Sequence, residues 1–216
     1  MDKGVGTKKT RAQKSLETRE KIMDAGRKLL AKYGYEQLTI RNICSEAGVT
    51  NGTFYHFFKN KDELMASYLH VEDWADEVED PENLGEYILH GYLKLTDLYQ
   101  ELGIEFTSGY YSAKNQAFNI YTRGTGAYIS DYYRPRLYRA RDLGYVRDDV
   151  SVDRIVADII AIFIGCVFQW CVVFGSTDIK MDVRRMLSSY LDYYVFTPKY
   201  FEMIEQKKAG QDKNQD

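Results

Sequence analysis

Apolar residues recur along most of this chain at intervals of three and four, the period of a helix with one buried face. Ile22, Gly26, Leu29, Leu30 and Tyr33 form the first such stripe, with Ser15 as a candidate N-cap and Gly34 as a stop. Ile40, Ile43 and Ala47 lie on one face of a short helix capped by Thr39 and ended by Gly48. After a turn of two or three residues a second short helix spans roughly 50–57. The pattern predicts another over Lys61–Asp73, with Leu64, Tyr68 and Leu69 on its apolar face. Downstream, Leu84, Ile88, Tyr92, Leu95, Tyr99 and Leu102 mark a long helix stopped by Gly103. Residues 105–113 carry no clear period. Helical patterns return from Asn115 to Leu143, interrupted by Pro135, then from Ser151 to Gly175 and over roughly 179–196. No alternating pattern of a half-buried strand competes with them, and the expected fold class is all-α.

Charge divides the chain where the pattern does. Net charge is −3, which alone gives no hint of a polyanionic partner. Residues 1–61, however, hold 13 Lys/Arg against 6 Asp/Glu, a balance of +7, and the remainder carries −10. Such asymmetry points to a nucleic-acid module joined to something else. The expected division is a flexible basic arm over 1–14, a basic helical domain over 15–76, a larger helical domain over 77–207 and a polar tail over 208–216. The acidic stretch Glu72–Glu82 is the expected hinge.

The stretch from Thr39 to Leu64, TIRNICSEAGVTNGTFYHFFKNKDEL, carries the chemistry. Two short helices joined by a glycine turn describe a helix-turn-helix. The second presents Thr50, Asn51, Thr53, Tyr55 and His56, hydrogen-bonding side chains that can reach base edges in a major groove. Gly52 allows close backbone approach. Thr39, Tyr55 and Lys61 suit phosphate oxygens, which set register without reading sequence. The spacing Thr39-Ile40-x-x-Ile43-Cys44-x-x-Ala47-Gly48-Val49-Thr50-x-Gly52-Thr53-Phe54-Tyr55-x-x-Phe58-x-x-Lys61-x-x-Leu64 resembles the DNA-binding signature of the TetR family of bacterial transcriptional regulators. The likeness covers roughly residues 15–76, with Cys44 where the family usually has Ala and Thr50 where Ser is common.

The resemblance implies a three-helix DNA-binding domain followed by a helical domain that dimerises and binds a small molecule. It implies a repressor that leaves a near-palindromic operator when an effector reshapes that domain. By carry-over, Thr39 and Lys61 would touch the DNA backbone, and Thr50, Asn51, Gly52, Thr53, Tyr55 and His56 would form the recognition surface. Ile159, Ile162, Phe163, Cys166, Trp170, Leu187, Tyr190 and Leu191 would line the dimer interface. Eleven of the 19 Tyr lie between Tyr87 and Tyr145. Tyr110, Tyr111, Phe118, Tyr121 and Tyr128 are the candidate ligand contacts, as aromatic walls suited to flat or cationic molecules. Tyrosines that only fill a helical core are the competing reading. The cluster of arginines over 134–147 reads more readily as a solvated face than as an anion site.

Other classes fit less well. Ile155–Phe174 is apolar enough to span a bilayer, so a single-pass DNA-binding protein is the alternative. Its flanks hold Asp148, Asp149, Asp153 and Asp178 but no basic cluster, and Asp158 would be costly in lipid. The polar N-terminus MDKGVGTKKT lacks the apolar run of a secretory signal, so the expected location is the cytoplasm. Tyr110-x-x-x-Lys114 superficially resembles a short-chain dehydrogenase pair, but no Gly-rich dinucleotide turn accompanies it. Catalysis and cofactors are therefore not expected. Nor is a metal: Cys166 and Cys171 lie about 140° apart around a helix axis.

Overall fold

The computed structural model describes residues 10–68, 83–112 and 129–212. Among them the architecture is helical throughout: α1 (Arg11–Tyr33), α2 (Ile40–Ala47), α3 (Asn51–Phe57), α4 (Lys61–Ser67), α5 (Leu84–Leu102), α6 (Ile104–Tyr110), α7 (Ile129–Asp142), α8 (Val152–Val172), α9 (Ile179–Tyr190) and α10 (Pro198–Asp212). Their only extended pairing is an isolated antiparallel bridge between Val146 and Phe196.

The described residues form two compact units. Residues 10–68 and 105–112 make one, and 83–104 with 129–212 make the other. In the first, α1 packs on α2 and α4, burying Ile22, Leu30, Ile43, Phe54, Leu64 and Met65. Gly26 makes this approach possible: a Cβ there would lie 2.6 Å from the Tyr68 hydroxyl and 2.9 Å from Leu64 Cδ2. That hydroxyl donates to the Met23 carbonyl, so the end of α4 is bonded to the middle of α1.

Sequence and structure differ at several places, each for a local reason. α1 starts at Arg11 rather than Ser15, because Thr10 and Gln13 form a reciprocal capping box. Arg11 and Lys14 therefore belong to a helix and not to a flexible arm. The patternless 105–113 stretch contains α6, whose Phe106, Thr107 and Tyr110 are buried in the N-terminal unit rather than in the C-terminal one. Gly109 sits on Leu30, and the Phe106 ring meets Tyr68 edge-on with centroids 5.2 Å apart. Seven residues are too few for a helical period to show. The polar end of the chain is also helical: α10 runs to Asp212, anchored by Tyr200, whose hydroxyl accepts from the Gly85 amide at 2.9 Å.

In the second unit α9 packs on both α5 and α8, and α7 packs on α5 and α8. Pro135 lies inside α7 without ending it. Tyr92, Tyr99 and Tyr133 fill the core together with Phe163, and Tyr92 and Tyr133 share a hydrogen bond of 2.9 Å. Burial pushes both phenols well above their ordinary pKa, so they resist ionisation even where an exposed tyrosine would titrate. These three tyrosines are core residues. The expected hinge over 72–82 lies outside the described residues.

α8 is long and apolar enough to cross a membrane, but α7 and α9 cover one side of it. Asp158 is tied to α9 by Tyr190. An apolar helix packed in this way is common in soluble bundles, and the membrane-anchored reading is not favoured.

Replacing Gly26 by Ala gains about 1 kcal/mol of helix propensity but displaces Tyr68 from its bond to Met23. The expected net effect is a loss of about 1–2 kcal/mol, measurable as a lower midpoint in chemical denaturation. An unchanged or higher midpoint would show that α1 and α4 are not held at this distance.

Candidate nucleic-acid interface

α3 has seven residues, too few to persist alone. Its ends and its buried face hold it. Gly48 takes the left-handed conformation (φ 66°, ψ 36°) in which the chain reverses after α2, and a side chain there would be strained. Thr50 then caps α3: its hydroxyl accepts from the Thr53 amide at 3.1 Å and lies 2.9 Å from the Thr53 hydroxyl. Phe54 and Phe58 are buried, their rings 5.7 Å apart, and Arg19 of α1 lies over the Phe58 ring. The helix is thus pinned at one end and along one side, and its opposite face is open.

That open face holds most of the expected residues. Thr50, Asn51, Gly52, Tyr55 and His56 are exposed, Tyr55 by 56% despite its size. Asn51 and Gly52 occupy the first two helical positions, and Tyr55 and His56 follow one turn on. Thr53 is half-buried, with its amide committed to the cap. Thr39 is exposed and caps α2, accepting from the Asn42 amide at 3.2 Å. Lys61 opens α4 half-buried, its ammonium 4.0 Å from the centre of the Tyr35 ring, while Tyr35 donates to Asp62.

Within the helix-turn-helix stretch two exposed basic residues were not singled out by sequence: Arg41 near the start of α2 and Lys59 just after α3. Both stand at variable positions of the motif, so only their place in the structure draws attention to them. Cys44 is buried, its thiol directed at the Thr50 carbonyl 3.6 Å away. Burial raises its pKa, which makes it a packing residue with little thiolate at neutral pH. Among the described residues no cluster of His, Cys, Asp and Glu could hold a metal.

The candidate ligand contacts are less well placed. Tyr110 is 1% exposed within the N-terminal unit, where its ring meets Phe106 and Tyr111. Tyr111 is half-buried, and Phe118, Tyr121 and Tyr128 lie outside the described residues. Of the arginines over 134–147, Arg134 pairs with Asp153, Arg147 with Asp149, and Arg141 donates to the Val150 carbonyl. Arg136 stacks on Tyr87, 4.4 Å from its ring centre.

Most of the expected dimer residues lie inside the protomer. Ile159, Phe163, Cys166, Trp170, Leu187 and Leu191 are buried inside the protomer, between 0% and 8% exposed. They belong to the stripe with which α8 and α9 close their own core. Ile162 and Tyr190 are half-exposed. The accessible apolar side chains are others: Phe168 at 61%, Val172 at 57%, Met186 at 41%, Tyr193 at 78% and Tyr194 at 65%. A helix apolar all round shows no sequence signal for which face turns inward.

The family described as bacterial regulatory proteins, tetR family, matches residues 22–68, which span the helix-turn-helix. The transcriptional repressor AcnR of Corynebacterium efficiens is 27% identical over 141 residues, covering 65% of this chain and 74% of AcnR. Two solved structures share the fold over most of both chains. The SmeT–triclosan complex superposes with a TM-score of 0.62 at 23% identity, over 85% of this chain and 94% of SmeT. NalD, the secondary repressor of the MexAB-OprM efflux pump in Pseudomonas aeruginosa, gives 0.61 at 16% identity, over 85% and 99%.

Thr50→Ala removes the cap of α3 and should cost about 1 kcal/mol of stability. Hydrogen exchange of the amides over 51–57 should speed up more than that of α5. Equal protection in wild type and variant would show that α3 is held by its phenylalanines alone.

Proposed function

This chain belongs to the TetR family of bacterial transcriptional regulators, and from that premise we propose that it is a homodimeric repressor released from a near-palindromic operator by a small molecule. Transcription regulation through DNA binding follows from the family; dimer, operator symmetry and effector are the proposal. The observation that carries it is the contrast between the two sides of α3. One side is buried through Phe54. The other holds Asn51, Gly52, Tyr55 and His56 in solvent, on the basic part of the chain.

In this reading Asn51, Gly52 and His56 meet base edges, with Thr50 and Thr53 holding the helix start beside them. Tyr55, Thr39 and Lys61 contact phosphates, joined by Arg41 and Lys59. Replacing Tyr55 or Lys61 by Ala then weakens binding to every duplex alike, and Lys61→Ala also flattens the salt dependence by roughly one phosphate's worth of slope. Asn51→Ala instead changes which bases are selected from a random library. The primary experiment is binding of purified protein to DNA flanking its own gene, against a scrambled duplex, at two salt concentrations. Specific, salt-sensitive binding supports the repressor reading. Equal binding to both duplexes at either salt, together with no enriched sequence from the library, refutes it.

A seven-residue recognition helix reads only a few base pairs, so specificity in a genome calls for two of them. The open face of α8 and α9 suits the second copy. Phe174, at the end of α8, supports the same reading: it is 86% exposed and held at φ 52°, an unusual conformation for a bulky residue. A second copy seated there would bury these side chains and fix the distance between the two α3 helices. Effector binding in the C-terminal unit would alter that distance, provided the effector favours one of the two states. Triclosan bound to SmeT is a precedent for such a ligand in a relative of the same fold. The proposed lining includes Phe118, Tyr121 and Tyr128, and the proposed place of action is the cytoplasm.

Phe168→Glu should leave the protomer folded, because the side chain is exposed, and shift sedimentation from dimer to monomer. Operator affinity should fall at least about tenfold. A variant that sediments as a dimer would remove this face from the interface.

A further inference from the structure

The chain's positive charge is concentrated where the reading above makes no use of it. Residues 1–14 hold Lys3, Lys8, Lys9, Arg11 and Lys14 against Asp2, so they supply +4 of the +7 carried by residues 1–61. The phosphate contacts assigned to the helix-turn-helix use only three cations, Arg41, Lys59 and Lys61. Arg11 and Lys14 stand exposed on the first turn of α1.

α1 is longer than its packing requires. Its buried residues are Ile22, Ala25, Gly26 and Leu30, all in the second half, and none of residues 11–21 is buried. The helix therefore runs about 16 Å past its first core residue. The stripe that enters the core at Ile22 continues toward the helix start as Thr18, Lys14 and Arg11, at helical spacing. The face that packs on α2 and α4 further along is thus polar and basic where the helix overhangs.

Two further features set this segment apart. A helix start favours acidic side chains, because its free amides and dipole are positive, yet the first turn of α1 holds two cations and no acid. Among the described residues neither Arg11 nor Lys14 joins an ion pair. Reciprocal hydrogen bonds keep this turn helical all the same. Thr10 Oγ1 accepts from the Gln13 amide at 3.2 Å, and Gln13 Oε1 accepts from the Thr10 amide at 2.8 Å. Charge that opposes local helix stability is expected at functional surfaces. Its position agrees: Arg19 lies over the ring of Phe58, which closes α3, and the start of α1 is about 12 Å along the helix from Arg19.

We propose that the overhanging start of α1, through Arg11 and Lys14, is a second DNA contact: it grips phosphates of the duplex just outside each half-site and leaves base reading to α3. It rests on the DNA-binding reading of α3 above. Phosphates carry no sequence, so this contact adds affinity and salt dependence without altering base preference. Lys3, Lys8 and Lys9 lie outside the described residues and add to the same attraction by charge alone.

The test uses the full chain and the site it selects from random duplexes, prepared in two lengths. One is trimmed to the selected bases, and the other is extended by roughly half a helical turn on each side. Wild type is compared with Arg11→Gln/Lys14→Gln and with a charge-matched control at exposed positions of the same helix, Arg27→Gln/Lys28→Gln. Wild type should bind the extended duplex at least about fivefold more tightly than the trimmed one, and the control should keep that ratio. Arg11→Gln/Lys14→Gln should bind both lengths within about twofold of each other, with a shallower salt slope on the extended duplex and the same selected bases. A double variant that keeps the wild-type ratio overturns the proposal. So does an equal loss of the ratio in the control, since net charge and not the place of these residues would then matter. Phosphate ethylation of the extended duplex decides without any variant. Interference outside the half-sites is expected with wild type, and its absence there overturns the proposal even if Arg11→Gln/Lys14→Gln does not fold. If wild type selects no site at all, the reading of α3 itself fails and this contact falls with it.

Discussion

Everything this protein does with DNA depends on holding a helix of seven residues in place while leaving half of it bare. Such a helix forms only when its ends and one face are fixed by the rest of the fold. Gly48 turns the chain, the Thr50 hydroxyl takes the Thr53 amide, and Phe54 with Phe58 sinks into the core against α1. α1 in turn is drawn onto α4 by the absence of a side chain at Gly26 and by the Tyr68 bond to Met23. No single contact is strong. Together they fix the direction in which Asn51, Tyr55 and His56 point.

The same arrangement accounts for the charge distribution. A basic N-terminal unit on a chain that is acidic elsewhere favours DNA at one end and repels it from the rest. Folding then keeps the titratable groups of the second unit quiet. The phenols of Tyr92 and Tyr133 are buried and bonded to each other, and the arginines over 134–147 are mostly paired or stacked. What that unit leaves open is its apolar face on α8 and α9, the surface proposed above for the second copy.

Sequence revealed the helix-turn-helix almost residue for residue, because caps, glycine turns and aromatic anchors act over three or four positions. Thr39 and Gly48 cap and end α2 as their spacing implied, whereas Thr50, expected among the recognition side chains of α3, is its N-cap. Signals that act over long distances were not legible. α6 is too short to show a period, and the packing of Gly109 on Leu30 and of Phe106 on Tyr68 reveals that it belongs with the N-terminal unit. α8 is apolar on every side, so residues such as Phe163 and Trp170 could not be told from Phe168 and Val172 until their burial was known. The helical start at Arg11 was hidden for a different reason: Thr10 and Gln13 form a weaker written signature than the acidic residues that follow them.

Hydroxyl-radical footprinting of the purified protein on its selected operator tests most directly whether two copies of α3 read one site. Two protected patches on the same side of the duplex, related by a two-fold axis and centred on successive major grooves, are the expected result. Protection of a single groove, or a uniform footprint that does not depend on sequence, would contradict it.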